Sequence, residues 1–122
     1  MAEHTPHYLP ADRLPLTTSA TVTGGQVLIV SGNDTVAPCS APSEAILGVA
    51  GHDAASGARV VVYTEGVHQV GATGSIAAGK PVIGATGGTV AAFTNGTDEP
   101  EEIIGTALSA AASSLVVIKL GR

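Results

Sequence analysis

The residues of this chain that could do chemistry fall in three places, and the first is a Gly-Lys stretch. Gly74 to Pro81 reads GSIAAGKP, which satisfies the G-x-x-x-x-G-K part of a phosphate-binding loop. Such a loop also needs a hydroxyl after the lysine, to bind magnesium, and a helix amino terminus that faces the phosphates. Pro81 has no hydroxyl, and the residues after it, VIGATGG, favour a strand. The stretch therefore predicts a turn that leads into a strand, and no nucleotide site.

The second place is the set of histidines. His4 and His7 are three residues apart, and in an extended segment their side chains point in different directions, which makes a poor metal site without a third ligand. His52 is predicted in a turn and His68 at the start of a strand, and no G-x-S-x-G serine motif accompanies them. We therefore predict no metal site and no catalytic triad.

The third place is a run of carboxylates within residues 98–102. These side chains lack the alternating spacing of a calcium loop, so they predict a solvated loop. The single cysteine, Cys39, has no nucleophile signature around it and is predicted to be a small buried hydrophobe. Taken together, the three places predict no catalytic residue, no cofactor and no enzymatic activity.

The composition excludes two classes of partner. The 122 residues carry 5 basic and 10 acidic side chains, and the basic ones are scattered singly, whereas nucleic-acid binding needs them clustered. No apolar run approaches the roughly 18 to 20 residues of a membrane span, and the first ten residues lack the pattern of a secretory signal. We predict one domain, made in a reducing cytoplasm, without a nucleic-acid or membrane partner.

The elements that position these residues are predicted to be strands. Residues 1–15 contain three prolines and isolated apolar residues, which predicts an extended amino-terminal arm. Residues 16–122 predict one all-β domain, a sandwich or a β-barrel, because short runs rich in Val, Ile and Thr are separated by turn residues at intervals of about 8 to 12 residues. Little helix is expected. The predicted strands are 17–23, 26–31, 35–38, 46–51, 58–63, 67–72, 81–84, 89–93, 103–108 and 115–120.

The chain also contains an internal repeat, about 20–63 and 74–120. Residues from Gly25 match those from Gly79 at an offset of 54, and residues from Ile46 match those from Ile103 at an offset of 57. The second offset continues through the last strand, where it aligns Val60 with Val117. We predict that two such halves close a single pseudo-symmetric barrel. The strands near 58–63 and 115–120 are apolar without alternation, which predicts burial on both faces.

The order of glycine turns and aliphatic strands resembles that of a known family. The segments that carry the resemblance are VTGGQV from Val22, ILGVA from Ile46, AASGARV from Ala54, EGVH from Glu65, AAGKPV from Ala77 and IGTAL from Ile104. Over residues 17–122 the chain looks like the small capsid decoration, or cement, proteins of tailed bacteriophages. Some relatives carry the label of a phage recombinase, which the incomplete nucleotide loop and the acidic net charge of this chain speak against.

The resemblance implies an all-β, single-domain β-barrel or β-tulip-like subunit on the outer surface of the phage head. It implies a structural virion protein, a homotrimer that bridges neighbouring subunits of the major capsid protein. Amino-terminal arms in this family contact the capsid. In this chain the matching residues are Pro6, His7, Tyr8, Leu9, Pro10 and Leu14.

Two other functions stay open from the residues alone. The first is a small phage-encoded enzyme, either a nucleotide-dependent recombinase or a hydrolase, which ATP turnover abolished by Lys80→Ala would reveal. The second is a host-surface or glycan-binding module. That class places exposed aromatic side chains in its binding loops, whereas this chain has three aromatic residues in all, Tyr8, Tyr63 and Phe93.

Overall fold

A computed structural model describes residues 12–121, which form ten strands and two short 3-10 turns. The all-β prediction is confirmed, and each observed strand overlaps one of the ten predicted strands. The 3-10 turns are Thr86–Gly88 and Pro100–Glu102. The strands are β1 Arg13–Thr18, β2 Val27–Gly32, β3 Thr35–Pro38, β4 Ile46–Ala50, β5 Arg59–Tyr63, β6 Val67–Gly71, β7 Pro81–Ala85, β8 Thr89–Ala92, β9 Ile103–Ala107 and β10 Leu115–Leu120.

The first half of the chain closes a barrel by itself. Its strands lie in the order β1-β3-β2-β4-β5, and β5 returns to pair with β1 in antiparallel fashion. The closing contact is a short parallel pairing in which Thr17 and Thr18 of β1 oppose Thr35 and Val36 of β3. One side chain from every second strand position points inward. The resulting core consists of Leu16, Val22, Leu28, Val36, Ala50, Val60 and Val62.

The second half repeats this arrangement. Its order is β6-β10-β9-β7-β8, which equals the order of the first half when β6 is matched to β1 and each later strand to its counterpart. A parallel bridge between Ala72 and Val90 is equivalent to the pairing of Thr18 with Val36 in the first half. The inward-facing residues also correspond one to one. They are Val70, Ile76, Val82, Val90, Ala107, Val116 and Ile118.

Register and irregularities are shared as well. β2 pairs with β4 through Leu28 and Gly48 and shifts register before Ile29, and β7 pairs with β9 through Val82 and Gly105 with the same shift. At both glycines a side chain is excluded by backbone, because a Cβ on Gly48 would overlap the carbonyl oxygen of Tyr63. A Cβ on Gly105 would overlap the carbonyl oxygen of Lys119 in the same way. The repeat therefore extends to a bulge and to one glycine that permits close strand approach.

Three expectations about the repeat are wrong in detail. The halves do not close one barrel together, since five strands suffice for the first half to close alone. The last strand aligns at an offset of 56, which matches Val60 with Val116, because side chains alternate and an offset of 57 would place buried residues on the outer face. Strands β5 and β10 are accordingly buried on one face, with exposed Arg59 and Leu115 on the other.

The barrel begins earlier than the sequence predicts. β1 starts at Arg13, so three residues assigned to the arm belong to the sheet. Pro15 is tolerated there because β3 pairs only with Thr17 and Thr18, leaving no partner strand beside residue 15 on that side. The Thr17 N–H points toward β3 and donates to Asp34 O at 3.4 Å, and the nitrogen two residues earlier faces the same way. The missing proline N–H thus costs no ladder hydrogen bond.

The loops fit the remaining predictions. Residues 108–114 form turns and an isolated bridge, and Ser113 and Ser114 have positive φ angles. The stretch from Gly74 to Lys80 is a turn, closed by a hydrogen bond from Lys80 N to Ala77 O at 3.2 Å, and it leads into β7 at Pro81. Within residues 12–121 there is no helix with the length and apolar character needed to cross a membrane.

Candidate interaction surface

The two halves pack against each other through one apolar contact. Val27, Cys39 and Val49 of the first half are buried and belong to the same cluster as the core of the second half. The loop after β7 closes this contact with two hydrogen bonds. Gly88 N donates to Cys39 O at 2.8 Å, and the Gln26 side-chain amide donates to Gly87 O at 3.2 Å. One hydrophobic cluster therefore spans the two halves, beside the separate core of the first barrel.

Cys39 lies in this contact and is 1% exposed, which confirms the prediction of a small buried hydrophobe. Its thiol donates to Ala41 O at 2.9 Å. Burial raises the pKa of the Cys39 thiol above its ordinary value. The thiol is therefore neutral at pH 7 and poorly nucleophilic.

We expect Cys39 to react with iodoacetamide at least about 100-fold more slowly in the native protein than in urea, because the thiolate is the reacting species and the site must open first. Labelling followed by mass spectrometry measures both rates. The matched control moves the thiol by one residue to the exposed position 40, as Cys39→Ala with Ser40→Cys, and that protein should label rapidly when native. Equal native rates for the two proteins would contradict the buried placement.

The structure uses the described histidines locally. Val61 N–H donates to His52 Nε2 at 3.3 Å, so His52 Nδ1 carries the proton and donates to Asp53 O at 2.8 Å. His68 Nε2 contacts Glu65 O at 2.9 Å, and its ring lies 5.6 Å from that of Tyr63. Among residues 12–121 no three His, Cys, Asp or Glu side chains come together as a metal-binding group. His4 and His7 lie outside the described residues.

The acidic segment is held by its own side chains. Asp98 Oδ2 accepts a hydrogen bond from Thr94 N at 2.8 Å, and Glu102 Oε1 accepts one from Glu99 N at 2.9 Å. The second bond is half of a capping box around the 3-10 turn Pro100–Glu102. Three of the four carboxylates, those of Asp98, Glu99 and Glu102, therefore hydrogen-bond within the loop, while Glu101 is exposed.

Exposed apolar side chains mark the outer face of the second half. Val67 is 55% exposed, Leu115 43% and Leu108 52%, and all three lie on neighbouring strands or at their ends. β6 and β10 are antiparallel neighbours, and Leu108 N donates to Val117 O at 2.8 Å, which brings Leu108 beside β10. We call the surface of Val67, Leu108, Leu115 and Val117 the β6–β10 face. Large exposed aliphatic residues in one patch are typical of a binding surface.

The equivalent face of the first half is basic. Arg13 stands where Val67 stands, and Arg59 stands where Leu115 stands. The Arg59 guanidinium donates from Nη1 to Pro15 O at 3.0 Å, which holds its head over β1. Two of the five basic residues of the chain therefore lie on the outer face of the paired strands β1 and β5. At equivalent positions, therefore, the second half presents aliphatic side chains to a partner and the first half presents arginines.

The predicted arm joins the barrel close to the start of β6, which carries Val67 of the β6–β10 face. Thr64 N donates to Asp12 O at 3.0 Å, three residues before Val67. The buried Asp12 Oδ1 finds no hydrogen-bond partner within residues 12–121. Leu14, one of the predicted contact residues, is half-buried and packs against the core of the first barrel. The others, Pro6, His7, Tyr8, Leu9 and Pro10, lie outside the described residues.

Comparison with known proteins decides the family. The sequence profile of the phage cement proteins matches residues 9–121. The chain belongs to the phage cement protein family. A phage cement protein is a structural component of the virion and is located on the capsid, so the function and location expected from the resemblance are confirmed at that level.

A solved structure independently matches the fold of this cement protein. It is the head fiber gp8.5 N base of bacteriophage phi29, with a TM-score of 0.69 and 22% sequence identity. The match covers 89% of this chain and 92% of that chain. No curated protein matches the chain in sequence.

Proposed function

We propose that this cement protein binds the outer surface of the assembled capsid as a homotrimer and bridges neighbouring subunits of the major capsid protein. In this proposal it stabilises the shell without catalysing a reaction. A protein that binds the assembled lattice and not its dispersed subunits shifts the equilibrium toward assembly by mass action. Many copies multiply individually weak contacts.

The observation that carries the proposal is the position of the β6–β10 face beside the start of β1. The arm reaches the barrel where Asp12 O accepts the Thr64 N–H, and Val67 follows three residues after Thr64. An arm and an apolar face that adjoin can grip one partner together, the arm by strand addition or in a groove and the face by burying aliphatic side chains. Arg13 and Arg59 supply positive charge from the other half for acidic groups on the shell.

Removing residues 1–11 tests the arm. The deletion stops at residue 11 because β1 begins at Arg13 and Thr64 N is bonded to Asp12 O. We expect the shortened protein to keep its melting temperature while its occupancy on expanded capsids falls by about tenfold or more, because multivalent attachment amplifies the loss of each contact. Co-sedimentation with capsids measures the occupancy. Unchanged occupancy would refute the arm as an anchor, and failure of the full-length protein to bind any capsid would refute capsid bridging.

The enzyme alternative has a direct test. Lys80 is exposed in a turn, and the residues after it form a strand, so the helix amino terminus that phosphate binding requires is missing at this loop. We expect no ATP turnover from the purified protein. Turnover that Lys80→Ala abolishes, and that substitution of another exposed lysine, Lys119→Ala, leaves unchanged, would support an enzyme in place of a purely structural protein.

A further inference from the structure

The two halves contribute surfaces that are not equivalent in the repeat to the contact between them. The second half contributes the end of β7 and the loop after it, where a Cβ on Gly84 would lie 2.6 Å from Cys39 Sγ and 2.8 Å from Ile46 Cδ1. A Cβ on Gly88 would likewise lie 2.7 Å from Gln26 Cβ. Gly84 and Gly88 therefore let the second half approach the first closely.

The counterparts of these residues in the other half are not covered. Val30 and Asp34 occupy the positions of Gly84 and Gly88, and both are exposed, Val30 to 46%. In the contact between the halves, Gly84 and Gly88 lie against Gln26, Cys39 and Ile46 of the first half. The equivalents of those three residues in the second half are Lys80, Phe93 and Ile103. Lys80 is exposed, and Phe93 and Ile103 are half-buried, whereas Cys39 is buried. We call Val30 and Asp34 the hairpin face, and Lys80, Phe93 and Ile103 the receiving face.

This asymmetry identifies the contact as head to tail. In a twofold contact each pair of residues occurs twice, so burial of Gly84 on Cys39 would require burial of Val30 on Phe93. The exposed Val30 shows that the second contact is not made within the chain. A head-to-tail contact always leaves one surface of each kind free at the two ends. Here the free surfaces are the hairpin face and the receiving face.

The two free faces are complementary in charge and in polarity. If the two free faces meet in the way that the two halves do, Val30 packs against Phe93 and Ile103, which is an apolar contact. It also sets Asp34, in the position of Gly88, against Lys80, in the position of Gln26. A carboxylate and an ammonium group thus replace a neutral pair. Val30 and Asp34 are larger than the glycines they replace, so the faces meet at a wider spacing, which leaves room for both charged side chains.

We propose that the hairpin face of one copy binds the receiving face of a second copy, so that copies of this chain join head to tail. The inference rests on the self-association proposed above and names the surfaces that make it. Its central contacts are Asp34 with Lys80, and Val30 with Phe93 and Ile103, in each case across two copies. The β6–β10 face takes no part and stays available for the capsid.

A cavity of about 190 Å³ lies between the halves. Its lining includes two pairs of residues that are equivalent in the repeat, Leu47 with Ile104 and Thr64 with Leu120. Head-to-tail copies close into a ring when the rotation from one copy to the next returns to its start, and otherwise form an open filament. The trimer proposed above is the closed case.

Two pairs of matched variants test the proposal by sedimentation velocity. Lys80→Glu and Val30→Asp should each raise the concentration for half-dissociation by about tenfold or more, since every junction of a ring is weakened together. Lys119 opposes Val67 in the pairing of β10 with β6, so its side chain lies on the same face. Lys119→Glu and Val67→Asp make the same chemical changes there and should leave association unchanged. The charge swap Asp34→Lys with Lys80→Glu should restore association relative to Lys80→Glu alone. Circular dichroism and thermal melting confirm that each variant is folded.

The outcomes separate this inference from the proposed trimer. A wild-type protein that is monomeric at all accessible concentrations would overturn both the self-association and its surfaces. Oligomers that resist Lys80→Glu and Val30→Asp, or that fall apart equally with Lys119→Glu and Val67→Asp, would overturn the assigned faces and leave self-association standing. Dissociation by the first pair alone, with recovery in the charge swap, supports the assignment.

Discussion

Gly48→Ala is expected to destabilise the protein by about 3 kcal/mol or more, which is a large part of the 5–15 kcal/mol that stabilises a typical domain. The added Cβ would overlap the backbone carbonyl oxygen of Tyr63 on the neighbouring strand, and a backbone atom cannot turn aside as a side chain can. The strands β4 and β5 must therefore separate, which breaks the pairing of Val49 with Tyr63. Urea denaturation measures the loss, and Gly105→Ala should behave alike because Lys119 O stands in the same position.

The matched control is Gly57→Ala. Gly57 has a φ of +84° and nothing within 4 Å of an added Cβ, so alanine there suffers only backbone strain, at a cost of about 1–2 kcal/mol. The comparison separates strand approach from positive φ as the reason for a glycine. A loss at Gly48 no larger than at Gly57 would contradict the close strand approach.

The second large effect concerns the core of the first barrel. Leu28 is fully buried among the seven inward-facing residues of that half, so Leu28→Ala removes apolar contacts and leaves a cavity. We expect a loss of about 2–5 kcal/mol in the free energy of unfolding. Leu108→Ala deletes the same atoms from a side chain that is 52% exposed, and its effect should stay within about 0.5 kcal/mol.

Chemical denaturation of both leucine variants gives the comparison directly. Because the adjacent β2 residues Val27 and Leu28 belong to the cluster that spans the halves and to the core of the first barrel, we expect Leu28→Ala to unfold in a single transition. Two separate transitions would show that the first barrel unfolds independently of the second half. Equal losses for Leu28→Ala and Leu108→Ala would contradict the inward placement of residue 28.

Much of the fold was predictable because strand signals are local. Short aliphatic runs bounded by glycine and proline located all ten strands, and the repeat followed from matching residues such as Gly25 and Gly79. Closure was not predictable, since it depends on pairing between β1 and β5, which are distant in sequence. The alignment of the last strand failed by one residue because Val, Leu and Ile near residue 116 are chemically alike and hide the alternation.

The surfaces were less predictable than the strands. Sequence pointed to the arm as the site of contact, and it gave no sign that Val30 and Lys80 lie on free counterparts of an internal contact. That relation requires knowing which half covers Cys39, a fact that no spacing encodes. Exposure of Val67 and Leu115 was equally hidden, because an aliphatic strand has the same composition whether one face or both are covered.

The closed first half also sets an order of events while the chain is being made. All five of its strands lie within residues 13–63, so every strand of the barrel leaves the ribosome before the second half does. At 5–20 residues per second, the remaining strands follow on the order of several seconds later. During that interval Val27, Cys39 and Val49 have no cover. On crowded polysomes a second half from another nascent chain can take that position, and such domain-swapped products are the misassembly to look for in preparations of this protein.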